Sequence, residues 1–292
     1  MDCSIHEPVP VRGREMNIPQ LTVRRRHNVP LWVGSTIVLF MFAAVIFGPL
    51  LISQSPTTQD LSNTFAGPSA AHPLGTDQLG RDMLARLLSG GRNNLLIALV
   101  AVLIPLVIGS ALGMLAGFFG GWTDAIIMRS ADLVSAFPFY VLVITLVFVL
   151  GNGPTSIFVA ISVVSWVAYA RIVRAETLVL RRKDFISALR VGGLPTPWIL
   201  VRHVLPNTLS QSLIYATGDI VLNIGVIVTL SFFGMGIVPP NPDWGQMLND
   251  GQQYLAAGKY ALTALPGACV IIVSLGFSLL SDGLTSVLKV KR

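Results

Sequence analysis

The sequence predicts an all-α membrane protein with six transmembrane helices and both termini in the cytoplasm, and three observations carry the prediction. Charge is scarce: the chain is 53% hydrophobic and 12% charged, with mean hydropathy +0.70, where a soluble domain carries about 25% charged residues. Apolar residues gather into six runs near the roughly 17–25 residues a spanning helix needs. Cations are divided unequally between the two sides those runs define. The net charge of +6 is therefore read as a topology signal, not as a nucleic-acid surface.

The first run, Leu31–Ile52, is longer than the roughly 7–15 residues of a signal-peptide core and no small-residue cleavage site follows it, so it reads as an uncleaved span. The second is Leu95–Phe118 and the third Leu133–Leu150. The fourth, Ser156–Tyr169, is the weakest, diluted by Ser162 and Ser165. The fifth and sixth are Leu209–Phe232 and Ala261–Leu284. Residues 1–30 form an N-terminal segment ahead of a transmembrane domain over 31–292. Six spans place sixteen of the twenty Lys and Arg residues on the side of the termini, leaving Arg81, Arg86, Arg92 and Lys259 opposite. That bias marks the cation-rich side as cytoplasmic. Segments 53–94 and 234–260 are then external loops, and 171–207 is a cytoplasmic loop.

Within the second run, Gly109, Gly113, Gly117 and Gly121 recur every four residues and share one helix face. Such a ridge lets helix backbones approach closely where lipid supplies no hydrophobic drive, and packing inside the bundle is the expected use. Asp219 lies ten residues into the fifth run, with Asn223 one turn further on the same face. A carboxylate at such depth costs roughly 2.5–3.5 kcal/mol on insertion scales, so it must face a cavity or a partner. The two residues are candidates for lining a solute pathway; a hydrogen bond within the bundle is the alternative. Asp132 and Asp282 sit near the cytoplasmic ends and read as interfacial.

Other motifs exclude chemistry. Residues 75–82, "GTDQLGRD", have the outline of a phosphate-binding loop, but Arg81 replaces its lysine and Asp82 its hydroxyl, so nucleotide binding is rejected. A structured external turn is expected there. The four histidines are scattered over both sides, no nucleophile–base pair is evident, and Cys3 and Cys269 have no metal-ligand spacing.

The basic segment 181–207, "RRKDFISALRVGGLPTPWILVRHVLPN", carries more than charge. Phe185, Ala188, Leu189 and Gly192 fall at i, i+3, i+4 and i+7, one face of a short helix, with Asp184 in the same loop. Gly192 and Gly193 stop it, Thr196 is expected as the N-cap of a second helix with Pro197 at its first position, and Pro206 opens the fifth span similarly. A basic loop bound to anionic lipid explains the charge but not this geometry.

At this point the segment resembles the EAA loop of membrane subunits in bacterial ABC importers. Ala188 takes an Ala position, Gly193 the Gly, and His203, Pro206 and Asn207 the closing positions; Ser187 stands where Glu is usual and Leu189 where a second Ala is usual. "HPLGTDQLGRD" at 72–82, "GFFGGWTDAIIMRSAD" at 117–132 and "LSFFGMGIVPPNPDWGQMLNDG" at 230–251 are similar to the C-type permease subunit of dipeptide, oligopeptide and nickel importers. The similarity runs over residues 30 to 290, with Ile227 near where many relatives carry Glu.

The resemblance implies a type I ABC importer permease fold in a bacterial inner membrane. It implies a non-catalytic subunit that pairs with a B-type permease and docks on two ATPase subunits through the 181–207 loop. An extracytoplasmic binding protein delivers the solute and membrane lipid surrounds the complex. This chain binds no cofactor; ATP and Mg belong to the partner ATPases. Two other classes compete. A self-sufficient secondary transporter would carry inverted repeats and broken helices, neither of which is evident, and a scaffold would need no pathway, against which Asp219 and Asn223 argue.

Overall fold

The structure, a computed structural model, describes residues 29–289. Most of the N-terminal segment expected over 1–30, with its five arginines, lies outside the described residues, as do Lys291 and Arg292. The described chain has ten α-helices: α1 Val29–Leu51, α2 Met83–Phe119, α3 Gly121–Ser135, α4 Phe139–Leu150, α5 Pro154–Leu180, α6 Asp184–Val191, α7 Thr196–Ile199, α8 Leu205–Phe232, α9 Trp244–Gln252 and α10 Ala261–Lys289. Five spans are long and apolar enough to cross a membrane, and a sixth is formed if α3 and α4 count as one broken span.

The first and last runs became α1 and α10, which pack antiparallel. A Cβ on Gly283 would strike Leu31, and one on Gly276 would strike Ile37. The described chain therefore begins and ends at the same end of the bundle.

The second span is longer than its hydropathy suggested. Asp82 accepts the Ala85 N–H at 2.7 Å and caps α2, which runs 37 residues from Met83. Residues 83–94, expected as external loop, are thus helix. Arg86 and Asn94 dilute the local hydropathy, but both are buried against other parts of the protein, which a hydropathy sum does not register. The expected structured turn at 75–82 is present: Asp77 Oδ1 accepts the N–H groups of Leu79 and Arg81, each at 2.9 Å, and Gly80 adopts φ +70°.

The third run is a correction. Leu133–Leu150 is not one straight helix: α3 and α4 meet at 86°. Pro138 lacks a donor and disfavours helical backbone at Phe137, so the chain breaks there. The fourth span is longer than expected, because α5 continues to Leu180 instead of yielding to a loop at residue 171. Its extension is held by ion pairs to α3, Arg174 to Asp124 and Arg171 to Asp132, the latter at 2.9 Å.

The helical ridge pairs α2 with α5. A Cβ on Gly109 would fall on the backbone oxygen of Trp166, one on Gly113 on that of Ala170, and one on Gly117 on that of Arg174. The two helices therefore touch backbone to backbone every four residues, a register only glycine permits. Gly121 is different. It has φ +54° and nothing within 4 Å of its Cβ position; with Gly120 at φ +68° it forms the turn into α3. Around this pair the main core collects Ala98, Ala101, Ile157, Ile161, Ile224 and Ile227 from α2, α5 and α8.

Candidate functional site

Two features place the residues singled out by the sequence. One is a helical knob at the end of the bundle shared by the described termini, and the other is a cavity inside the membrane-spanning region.

The knob comprises α6, a glycine turn and α7. Its helix stop is complete: Gly193, at φ +75°, donates to Arg190 O at 3.0 Å and Leu194 donates to Leu189 O at 3.2 Å. This is the Schellman arrangement, in which the left-handed residue follows the last helical turn and an apolar contact accompanies it. Leu189 and Leu194 both pack against the small core beneath the turn.

A small core then fixes the knob to the bundle. Ile186, Ile199, Leu200 and Val204 are buried against Met114 and Phe118 of α2 and Val173 of α5. Arg181 donates to Gly117 O at 3.0 Å, closing the end of α2, and the Arg190 guanidinium lies 4.5 Å above the Phe118 ring. Such a cation over a ring contributes about 0.5–1 kcal/mol at an exposed site. The cations that marked this segment as basic are thus partly structural.

The outward face differs from the one read from spacing. Phe185, Ala188 and Gly192 are exposed, but Leu189 turns toward the small core, and Ile186 is the deepest residue of α6. The 3.6-residue pattern alone did not separate the two faces, because apolar residues occupy both. Val191, 90% exposed, Trp198 and Val201 extend the outer face. Asp184 sits in the first turn of α6, where its charge opposes the helix dipole favourably, and Ser187 is exposed.

The second helix start is also corrected. Pro195, not Thr196, occupies the N-cap position, with no side-chain cap. Nor does the fifth span start afresh at Pro206. Residues 196–232 form one continuous span through a π-helical turn at Leu200–Val204, where Leu205 N–H reaches Leu200 O. Pro206 removes a donor just beyond, and the wider turn accommodates its ring. Asn207 Nδ2 donates to the His203 carbonyl at 2.6 Å, and the His203 ring meets Trp198 edge-on at 4.9 Å.

The cavity, about 370 Å³, lies between the α3–α4 bend, α5 and α8. Asp219 lines it while only 5% exposed. Tyr169 on α5 donates its hydroxyl to Asp219 Oδ2 at 2.8 Å, and Asn223 Nδ2 donates to the same oxygen at 3.3 Å. Tyr215 packs edge-on against Tyr169 at 5.0 Å. Asp219 and Asn223 are therefore together, as their spacing required, but Asn223 is wholly buried and only Asp219 reaches the cavity. Tyr169 was not foreseen. It lies at the end of the weakest run, and nothing local pairs it with a residue fifty positions away.

Residues 109–291 match the family described as binding-protein-dependent transport system inner membrane component, and residues 22–68 match the N-terminal TM domain of oligopeptide transport permease C. The chain is 36% identical over 259 residues to the dipeptide transport system permease protein DppC of Alkalihalophilus pseudofirmus, spanning 89% of this chain and 85% of that protein. It is 36% identical over 266 residues to the glutathione transport system permease protein GsiD of Pectobacterium atrosepticum, spanning 91% and 88%. Among solved structures, the inward-facing MetNI methionine ABC transporter aligns with TM-score 0.51 and 19% identity, covering 69% of this chain and 97% of that one. An amino acid ABC transporter with histidines aligns at 0.50 and 16%, covering 68% and 91%.

Proposed function

We propose, because this chain belongs to the family of binding-protein-dependent transport system inner membrane components, that it forms half of the translocation pathway of an ATP-driven peptide importer. It is a non-catalytic permease subunit of the inner membrane, with the helical fold of ABC importer transmembrane subunits. The finer assignments are our reading. They are a second permease of the B type beside it, two ATPase subunits holding ATP and Mg, an extracytoplasmic binding protein, and peptide as cargo.

The observation that carries this reading is the knob. Phe185, Val191, Trp198 and Val201 are exposed at an end of the bundle bearing Arg181, Arg182, Lys183 and Arg190. Those charges keep that end in water, and an exposed apolar patch rimmed by charge marks a protein interface. The cation bias makes this end cytoplasmic, with both termini and the 171–207 segment on that side and 53–94 and 234–260 outside. An ATPase groove gripping the knob pulls on two elements together. Ile186 and Arg190 transmit the pull to the glycine-locked α2–α5 pair, and α7 continues directly into α8, which carries Asp219. Closure of the ATPases then rocks the bundle and alternates access, as domain-closure mechanisms require.

Reconstitution tests the reading. Proteoliposomes holding this chain with its second permease and ATPases should take up a dipeptide when ATP and a loaded binding protein are supplied. Uptake by this chain alone, independent of ATP, would overturn it.

A further inference from the structure

The cavity at Asp219 has a chemical signature that a general pathway does not require. Both Tyr169 and Asn223 donate to Oδ2, and among the described residues Oδ1 accepts no hydrogen bond and no cation pairs with the carboxylate. Arg171, the cation on the cavity wall, does not pair with Asp219: its Nη2 donates to Asp132 Oδ1 at 2.9 Å and to Ser135 Oγ at 3.1 Å. Aromatic rings make up much of the remaining wall, from Phe137, Phe139 and Tyr140 at the α3–α4 bend and Tyr215 on α8.

A carboxylate within a span must find a counter-charge or neutralise. Here the chain provides donors that orient the group yet withholds the cation, which leaves the carboxyl either protonated or paired by a charge from outside, and the walls around it favour the second. Aromatic faces beside a carboxylate favour an organic ammonium, through attraction of the cation to the ring quadrupole. A bare divalent metal ion would demand several oxygen ligands, and no cluster of three or more His, Cys, Asp or Glu capable of holding one occurs among the described residues. The Arg171 guanidinium, at the rim beside Ser135 and Asp132, is the one cation on this wall and would suit the carboxylate end of the same cargo. The volume of about 370 Å³ falls within the range of small-molecule sites, roughly 300–1,000 Å³.

We infer that this cavity receives a protonated amino group of the cargo, with Asp219 as counter-ion, the four rings as walls, and Tyr169 and Asn223 as positioning residues. The inference rests on the reading that this chain lines a translocation pathway, and it adds what the pathway selects: a free amino terminus or a basic side chain.

The test measures the charge of the cavity directly. In the assembled transporter with Cys3→Ser and Cys269→Ser, Leu222→Cys places a thiol on the cavity wall one turn beyond Asp219. Its labelling by a trimethylammonium-bearing methanethiosulfonate should outpace labelling by the sulfonate-bearing reagent roughly tenfold or more, as a single nearby charge of low screening dictates. Adding Asp219→Asn, which keeps the shape, should bring that ratio close to one. Ala-Ala should slow labelling, and N-acetyl-Ala-Ala should not. A ratio unaffected by Asp219→Asn, or equal protection by the two peptides, would overturn the ammonium site. If the same transporter takes up Ala-Ala normally in that event, the pathway reading survives. A transporter whose Ala-Ala uptake does not depend on this chain dismisses the pathway reading instead.

Discussion

The two ends of this molecule use the same residue types in opposite ways. At the end built from residues 53–82 and 234–260, Arg81 and Arg86 are buried. They pair with Asp77 at 2.6 and 3.3 Å, and with Asp250 on α9 at 3.5 and 3.7 Å. Trp244, the first residue of α9, is fully buried and donates its indole N–H to Leu87 O at 2.9 Å. Asn93 Nδ2 donates to Pro242 O at 2.9 Å and Asn249 Nδ2 to Phe232 O at 2.7 Å, so α9 is seated against α2 and α8. At the other end, α6 and α7 rest on a small core while their apolar residues face outward. One end holds its charged side chains in buried ion pairs, and the other turns apolar side chains of a short helical segment outward. Few cations on one side and many on the other mark topology, but their burial separates a structural use from an interfacial one.

The sharpest way to break the comparison is at the sealed end. Arg86→Ala opens a void beside Asp77 and Asp250 but leaves Arg81 paired with both, so the loss should approach the lower end of the about 3–5 kcal/mol that removing one member of a buried pair costs. Thermal denaturation of the purified subunit in detergent should show a large loss, with the 234–260 segment becoming the first site of limited proteolysis. A variant as stable as the parent would mean the ion network is decorative.

The open end should respond differently. Gly193→Val forces a branched side chain into left-handed backbone, a strain of about 1–2 kcal/mol, in space where nothing lies within 4 Å. The subunit should insert and assemble, while ATP hydrolysis by the complex ceases to drive uptake. Coupled transport at the parental rate would show that the turn is not a force-bearing element.

The smallest effect concerns pH at the sealed end. Burial raises the Asp243 carboxyl above its ordinary value of 3.8, against the opposing pull of the Gln246 N–H and the Arg86 charge. The folded protein thus holds this proton more tightly than the unfolded chain. Its contribution to stability falls as pH rises from about 3.8 through the raised folded value, and is level above it. Asp243→Asn preserves an acceptor for Gln246, bonded now at 2.9 Å, and should flatten that slope in denaturation midpoints measured across the window. An unchanged slope would assign it to another group.

Much of this was legible in the chain itself. The helical class, the order of the spans and the short helix stopped at Gly192 and Gly193 follow from composition, periodicity and turn chemistry, because each depends on neighbours within a turn or two. Pro138 was equally visible, yet the third run was read straight through it, since hydropathy sums charge and ignores a missing donor. The limits of α2 and α5 were misjudged for a related reason: hydropathy drops at Arg86 and Arg171, but both find carboxylate partners and the helices continue through them.

Those partners are the part that local sequence does not contain. Trp244 finds Leu87, Asp219 finds Tyr169, and Arg86 finds Asp250 only once distant helices are brought side by side. Periodicity determines which residues leave water. Three-dimensional packing decides which charges meet an opposite charge within the chain and which, like Asp219, meet only neutral donors.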